Sequence, residues 1–359
     1  MRAAVARASI RQVAMFHVDV LVSGQALSVP ILLLLLCGVI VGVLGGFFGV
    51  GGGWLVTLFL IIFCGLPEKY AVGTGFGYIL GMSLISAWKH RKRGNMEYKL
   101  GAALGLPMIL GVNIGKRLMV ELDKSGKAGP VVQNLYMVML FSLGMYMLID
   151  SIKELRATTE ETGGGDQKAN APLRRLKWGP LLSLKKSGIE TPLIPILTIG
   201  LAVGVISGLM GVGGGFVLMP IMVYLVGMPT IMAVGTSLLC ILYSAPMGVC
   251  AYSLSEGGSQ VLFQLSGIMI LGAFLGAPLG VWSAGRVHGK SLRLLYSSLT
   301  ILGGISVGLK ILQHVLDQPL LGECGKWLIL GAPLVLSTFI LVLSGKASPD
   351  QKIAEDLNA

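Results

Sequence analysis

Long runs without a charged residue alternate along this chain with short basic clusters. No charged residue occurs in 20–67 or 191–255, and shorter uncharged runs cover 71–88, 100–115, 131–149, 257–285, 294–309 and 327–345. About 20 apolar residues cross a bilayer as a helix, so several runs qualify and the two longest have room for more than one segment. The runs are continuous rather than alternating, which excludes a transmembrane β-barrel. The pattern predicts helices near 71–88, 100–119, 131–149, 231–252, 260–284, 291–312 and 327–343. It also predicts interrupted apolar segments at 29–64 and 193–226.

The interruptions are copies of each other. Gly-Phe-Phe-Gly-Val-Gly-Gly-Gly-Trp-Leu at 46–55 returns as Gly-Leu-Met-Gly-Val-Gly-Gly-Gly-Phe-Val at 208–217, an offset of 162 residues. The register holds through Gly65-Leu66-Pro67 against Gly227-Met228-Pro229, and through Ala71-Val72-Gly73-Thr74 against Ala233-Val234-Gly235-Thr236. Over 42–74, 14 of 33 positions are identical to their partners. Weaker echoes pair Gly111-Val-Asn-Ile-Gly115 with Gly272-Ala-Phe-Leu-Gly276, and Leu135-Tyr136 with Leu295-Tyr296. Small-xxx-small spacing of this kind lets membrane helices approach closely. The expected fold is an all-α polytopic membrane protein with two homologous four-segment repeats, each opened by a Gly-rich broken helix, plus one extra C-terminal transmembrane helix.

The expected organisation follows. Residues 1–28 form a basic N-terminal tail, 29–151 the first transmembrane repeat, 152–191 a polar linker, and 192–312 the second repeat. Residues 313–345 hold a C-terminal loop and the extra helix, and 346–359 a polar tail. A cleaved signal peptide is rejected, because it would remove part of the repeated unit. The stretch 2–22 reads equally as a helix lying on the membrane surface or as a cytoplasmic tail. Gly163-Gly164-Gly165 marks the linker as a flexible piece.

Composition agrees with the pattern. Apolar residues make up 54% and charged residues 13%, against about 25% charged in soluble domains. The net charge of +11 sits in short loops and not in a groove interleaved with aromatics, so no nucleic-acid partner is expected. The partners expected are the lipid bilayer and a small inorganic or organic anion. The oligomeric state is not readable. Basic loops usually face the cytoplasm. The loop 89–99 is basic while its counterpart 253–259 carries only Glu256, which favours inverted halves. The corresponding loops 116–127 and 286–293 are both basic, which favours parallel ones. Cys37, Cys64, Cys240, Cys250 and Cys324 show no Cys-x-x-Cys spacing, and the first four read as small buried hydrophobes.

Candidate chemistry concentrates at the breaks. A helix restarting inside the membrane exposes N–H groups at a positive dipole end, which is an anion site made of backbone. Glycine lets the chain turn sharply and the ligand approach. Duplicated Gly-interrupted segments point to a transporter site. The candidate residues are Gly51, Gly52, Gly53, Gly213, Gly214 and Gly215, with hydroxyls from Thr74, Tyr78, Thr236 and Ser237. For the threonines, a helix cap is the competing reading; for the glycines it is tight helix crossing. The Gly run is not a phosphate-binding P-loop, since no Gly-Lys-Ser/Thr follows, and no strand precedes it as a dinucleotide fold requires. Asp150, Glu256, His90, His288 and His314 all fall near segment ends. Without a deep acid, base or metal cluster, neither an enzyme, a cofactor nor a metal is expected.

At these motifs the chain resembles the sulfite exporter TauE/SafE family of membrane anion transporters. The resemblance rests on Gly49-Val-Gly-Gly-Gly53, Gly65-Leu-Pro67 and Ala71-Val-Gly-Thr74. It rests also on 211–220, Val234-Gly-Thr-Ser237, His90-Arg-Lys-Arg-Gly-Asn95 and 271–276, and covers about 29–312. It implies transport of sulfite, a related sulfur oxyanion or an organosulfonate across a bacterial inner membrane. Where family members often carry amides after the repeated Thr, this chain has Phe76, Gly77 and Tyr78 in one half and Leu239 and Cys240 in the other. The proline at Pro220 is Leu58 in the first half. An anion channel with the same site, or a membrane-embedded enzyme or accessory subunit, are the alternatives.

Overall fold

The structure is a computed structural model of the 359-residue chain. It describes residues 17–22, 25–156, 172–175, 180–184, 186–255, 258–287 and 289–346. A β-hairpin, β1 (His17–Val22) and β2 (Gln25–Pro30), leads into α1 (Ile31–Phe48), α2 (Gly53–Phe63), α3 (Glu68–Lys92), α4 (Tyr98–Lys124) and α5 (Ala128–Arg156). A short helix α6 (Pro172–Arg175) and a second hairpin, β3 (Leu181–Leu184) and β4 (Ile189–Pro192), follow. The second half is α7 (Leu193–Met210), α8 (Gly215–Leu225), α9 (Thr230–Ser253), α10 (Phe263–Ala284) and α11 (Gly289–Leu316), and α12 (Pro319–Lys346) closes the chain. Among the described residues nine helices are long and apolar enough to cross a membrane. The protein is all-α and polytopic. Residues 17–22, read from sequence as part of a surface helix or tail, form strand β1 instead. Their alternation His-Val-Asp-Val-Leu-Val has the period of a strand, and β1 pairs with β2 from His17–Pro30 to Val22–Gln25. The glycine run 163–165 lies outside the described residues.

The two halves carry matching elements. α1 and α7, α2 and α8, and the starts of α3 and α9 each recur at the 162-residue offset. In both halves the short helix begins as α and ends as a π-turn, Phe59–Phe63 and Ile221–Leu225.

The broken segments do not run on in line. A Cβ placed on Gly45 would sit 2.9 Å from Gly52 N, and one on Gly52 would sit 3.2 Å from Val41 O. Cys37 and Ile40 share a small pocket with Leu55 and Phe59. Contact thus retreats along α1 as α2 advances, so the pair is an antiparallel helical hairpin with its turn at 49–52. The turn needs glycine: Gly49, Gly51 and Gly52 have φ of 70°, 71° and 70°, a region costing other residues about 1–2 kcal/mol each. In the second hairpin Gly214, at φ 78°, faces Val203, the counterpart of Val41.

Each hairpin is gripped by the other half. Gly42 and Gly46 of α1 approach Ala273 and Ala277 of α10, while Gly272 and Gly276 approach Leu35 and Val39, so these helices run parallel. On the other side Gly111 meets Gly204 and Gly115 meets Gly208, and α4 and α7 also run parallel. The spaced glycines let backbones touch, which supplies van der Waals attraction where lipid removes the hydrophobic drive. Helices at equivalent places in the two halves, however, run antiparallel. Gly73 and Phe76 of α3 face Tyr252 of α9, while Ile79 packs near Ile241 around Gly51. Gly144 of α5 meets Thr300 of α11, whereas Met137 meets Gly308. α12 has no counterpart; its Ile329, Leu330 and Pro333 cover the first hairpin.

The two ends of the bundle differ in how charge is held. At one end Lys69 pairs with Asp123 at 2.9 Å, Lys124 with Glu121 at 3.6 Å and Lys326 with Glu323 at 2.6 Å. At the other, Arg293 lies 3.9 Å from Asp150, Lys92 and Arg286 lie 3.8 Å over the rings of Trp88 and Trp282, Arg93 donates to Val281 O, and Lys186 to Gly94 O. The basic stretch 116–127, which from sequence argued for parallel halves, lies at the Lys69–Asp123 end.

Candidate functional site

The two hairpin turns meet in the protein interior. A Cβ on Gly53 would come 2.7 Å from Val212 O, and one on Gly215 would come 2.6 Å from Val50 O. Ile79 and Ile241, near the middles of α3 and α9, close the space between the turns: both lie against Gly51 and Gly213. Gly51, Gly52, Gly53, Gly213, Gly214 and Gly215 are all buried.

The turns are unequal in how their polar groups are met. Carbonyls at the ends of α1 and α7 are well supplied. Gly49 N donates to Gly45 O at 3.0 Å and Gly211 N to Ser207 O at 2.7 Å. Ser237 donates to Gly49 O at 2.6 Å, Thr57 to Gly211 O at 3.2 Å, and Tyr252 to Gly208 O at 2.7 Å. The two echoed tyrosines anchor the second hairpin, Tyr136 on Met210 O and Tyr296 on Phe216 O. The N–H groups that open α2 and α8 are not supplied. The first backbone bonds of these helices are Val56 N to Gly52 O and Val217 N to Gly214 O, both 3.1 Å. Among the described residues no oxygen accepts from the N–H groups of the six candidate glycines, and neither helix has a side-chain cap. Buried N–H groups are seldom left without a partner. Two helix starts, each with the positive end of a dipole, are therefore held side by side.

The hydroxyls named from sequence go elsewhere. Thr74 accepts from Leu262 N at 3.1 Å and Thr236 from Glu97 N at 3.0 Å. Leu262 and Glu97 are the cap positions of α10 and α4, so each Thr seats the start of a helix at one end of the bundle. Gly73 and Gly235 let the Gln260 and Asn95 backbones approach beside them. The repeated Ala-Val-Gly-Thr is thus a docking seat for two loops, and the structure does not bring Thr74 or Thr236 to the turns. Tyr78 lies beside Gly52 but its hydroxyl reaches Gly38 O at 3.4 Å. Ser237 touches the turn from the carbonyl side.

Charged side chains stand apart from the turns. Lys310 Nζ donates to Ile61 O at 2.9 Å, at the far end of the first hairpin. Lys116 is half-buried and Arg117 exposed on α4. If an anion is held at the helix ends, worth about 0.3–2 kcal/mol each, changing Lys116, Arg117 or Lys310 to Gln is expected to alter its affinity less than about threefold. Equilibrium binding of labelled sulfite to the purified variants checks this; loss of binding in any one of them would move the site to that side chain. One polar group was missed from sequence. His90, placed there near a segment end, is 1% exposed, and its Nε2 lies 3.4 Å from Gly46 O. The available signal was the offset, which aligns His90 with Tyr252.

The nine apolar helices among the described residues, two of which begin the Gly-turned hairpins, define a polytopic membrane transporter. The chain belongs to the sulfite exporter TauE/SafE family, whose family model matches residues 33–307. It is similar to a probable membrane transporter protein of Methanocaldococcus jannaschii, 26% identical over 288 residues, 76% of this chain and 93% of the relative. Similar too are probable membrane transporter proteins of Haemophilus influenzae, 25% identical over 78% of this chain and 98% of the relative, and of Bacillus subtilis, YunE, 25% identical over 76% and 95%. No solved structure matches the chain. It is a multi-pass membrane protein and a transporter, not an enzyme.

Proposed function

We propose that this chain carries sulfite, or a related sulfur oxyanion or organosulfonate, and holds it on the backbone between the two hairpin turns. The observation that carries this reading is the pair of buried helix starts at Gly51–53 and Gly213–215, whose N–H groups have no acceptor among the described residues. A sulfur oxyanion presents three or more acceptor oxygens to donors arriving from two directions. The family's description as sulfite exporters supports the substrate class.

The halves form inverted repeats. Equivalent helices run antiparallel (α3 against α9, α5 against α11), which is what an axis in the membrane plane produces. Alternating access is then a rocking of one hairpin and its partners against the other, with Ile79 and Ile241 parting to admit the anion. Closure by these two side chains favours a carrier over a channel. The end rich in Lys89, Lys92, Arg93, Lys186 and Arg286 faces the cytoplasm.

Purified protein in liposomes should take up radiolabelled sulfite with a rate that saturates as concentration rises, and unlabelled sulfonates should compete. Uptake that rises without limit would make it a channel. No uptake of sulfite, thiosulfate, sulfoacetate or taurine would remove the substrate class.

A further inference from the structure

His90 and Tyr252 do the same structural work in opposite halves. Each sits at the end of a long helix and donates to a last-turn carbonyl of the hairpin in its own half: His90 Nε2 to Gly46 O at 3.4 Å, Tyr252 Oη to Gly208 O at 2.7 Å. A carbonyl only accepts, so Nε2 carries the hydrogen and Nδ1 of the neutral ring is left with a lone pair. Nδ1 is buried and has no hydrogen-bond partner. The pair differs in one chemical respect. A phenol stays neutral across physiological pH, whereas an imidazole takes a second proton near pH 6.5. The halves are alike in packing here and unlike in titration.

We propose that His90 binds, at Nδ1, a proton that crosses the membrane with the anion. The proposal rests on the anion site argued above. Gly46 lies in the last turn of α1, three residues before Gly49 opens the hairpin turn, so the ring rests on the leg that leads into the turn that would receive the anion. The charged groups at this end are mostly positive. α1 brings no charged residue; α3 brings Arg93, three residues on, which donates to Val281 O; α10 is uncharged, and Arg286 lies just beyond it. Lys186 adds a positive charge at Gly94 O, and the buried Glu97 carboxylate, which accepts from Lys186 N at 3.0 Å, a negative one. Without the anion a second proton on His90 must be held in a buried site at this mostly positive end. An anion between the turns reverses that balance, and by linkage the proton strengthens anion binding by the same factor. One proton and one singly charged anion cross together and no net charge moves. The second half, with Tyr252, supplies the same hairpin contact without a proton.

The test uses the full chain in liposomes with labelled sulfite. Two assays are run: exchange of sulfite against sulfite at equal pH, and accumulation driven by a pH step of about one unit, alkaline inside. His90→Tyr copies the contact of the other half, and His90→Gln keeps an N–H donor by another geometry. Wild type should accumulate sulfite about tenfold, as one-for-one coupling to such a step requires. Both variants should keep exchange and lose accumulation. Accumulation retained by either variant would show that the proton travels on the substrate or elsewhere, and overturns the proposal. Wild type indifferent to the pH step overturns it as well. Exchange lost in both variants at normal membrane levels overturns it too, since His90 would then be needed for the hairpin and not for a proton. Wild type that neither exchanges nor accumulates sulfite is a failure of the anion reading itself.

Discussion

Gly52→Val and Gly214→Val are each expected to reduce sulfite transport to background. Both positions lie in left-handed backbone, at φ 70° and 78°. That region costs an ordinary residue about 1–2 kcal/mol and a β-branched one more. The side chain also has nowhere to go. A Cβ on Gly214 would lie 2.6 Å from Met108 Cε and 2.8 Å from Val203 Cγ1, and one on Gly52 would overlap Val41. The turn must then lift off its own first leg, which re-aims the N–H groups that open α2 and α8. Gly51→Ala is the gentler companion. Its Cβ would meet only the side-chain ends of Ile241, at 3.0 Å, and Ile79, at 3.3 Å. This variant should fold, reach the membrane and bind sulfite about tenfold more weakly, a loss of about 1.4 kcal/mol. Near-normal transport by the two Val variants would sink the backbone site.

The second large effect is all-or-none. Inverted halves place the loop after α3 and the loop after α9 on opposite faces of the membrane. Arg91 is exposed in the last turn of α3, and Ser255 follows α9. In a background with the five native cysteines replaced, Ser255→Cys should react with an impermeant thiol reagent in intact cells. Arg91→Cys should stay protected until the membrane is opened. The basic cluster around Arg91 sets which face is inside. Equal reactivity of the two would contradict the antiparallel packing of α3 on α9, and rocking about an in-plane axis with it.

Much of this architecture is legible in the sequence, because lipid imposes a simple rule. The uncharged runs at 71–88 and 231–252 became α3 and α9 with a few residues added at each end, where Lys89, Lys92 and Ser253 leave the apolar run. The duplicated glycines announced a break in each half. What they did not announce is that the chain folds back on itself. That depends on three left-handed glycines in one turn and on Val41 and Val203 receiving the return leg, which are tertiary facts. Thr74 and Thr236 show the limit most plainly. Both the cap and the ligand readings were open in sequence, and the choice depended in both cases on a loop from the other half of the chain. The burial of His90 was hidden for a related reason: it sits among Lys89, Arg91 and Lys92 in the last turn of one helix, and only α1 decides which of them is covered.

The most direct measurement is the position of the bound anion. Selenite is a close analogue of sulfite with a heavy atom that scatters anomalously. Crystals of the protein grown or soaked with selenite should show one strong anomalous peak at the meeting of the two turns, within hydrogen-bonding reach of N–H groups from both Gly51–53 and Gly213–215. A peak beside Arg93 and Arg286, with none between the turns, would contradict a backbone site and put the anion on side chains at that end of the bundle.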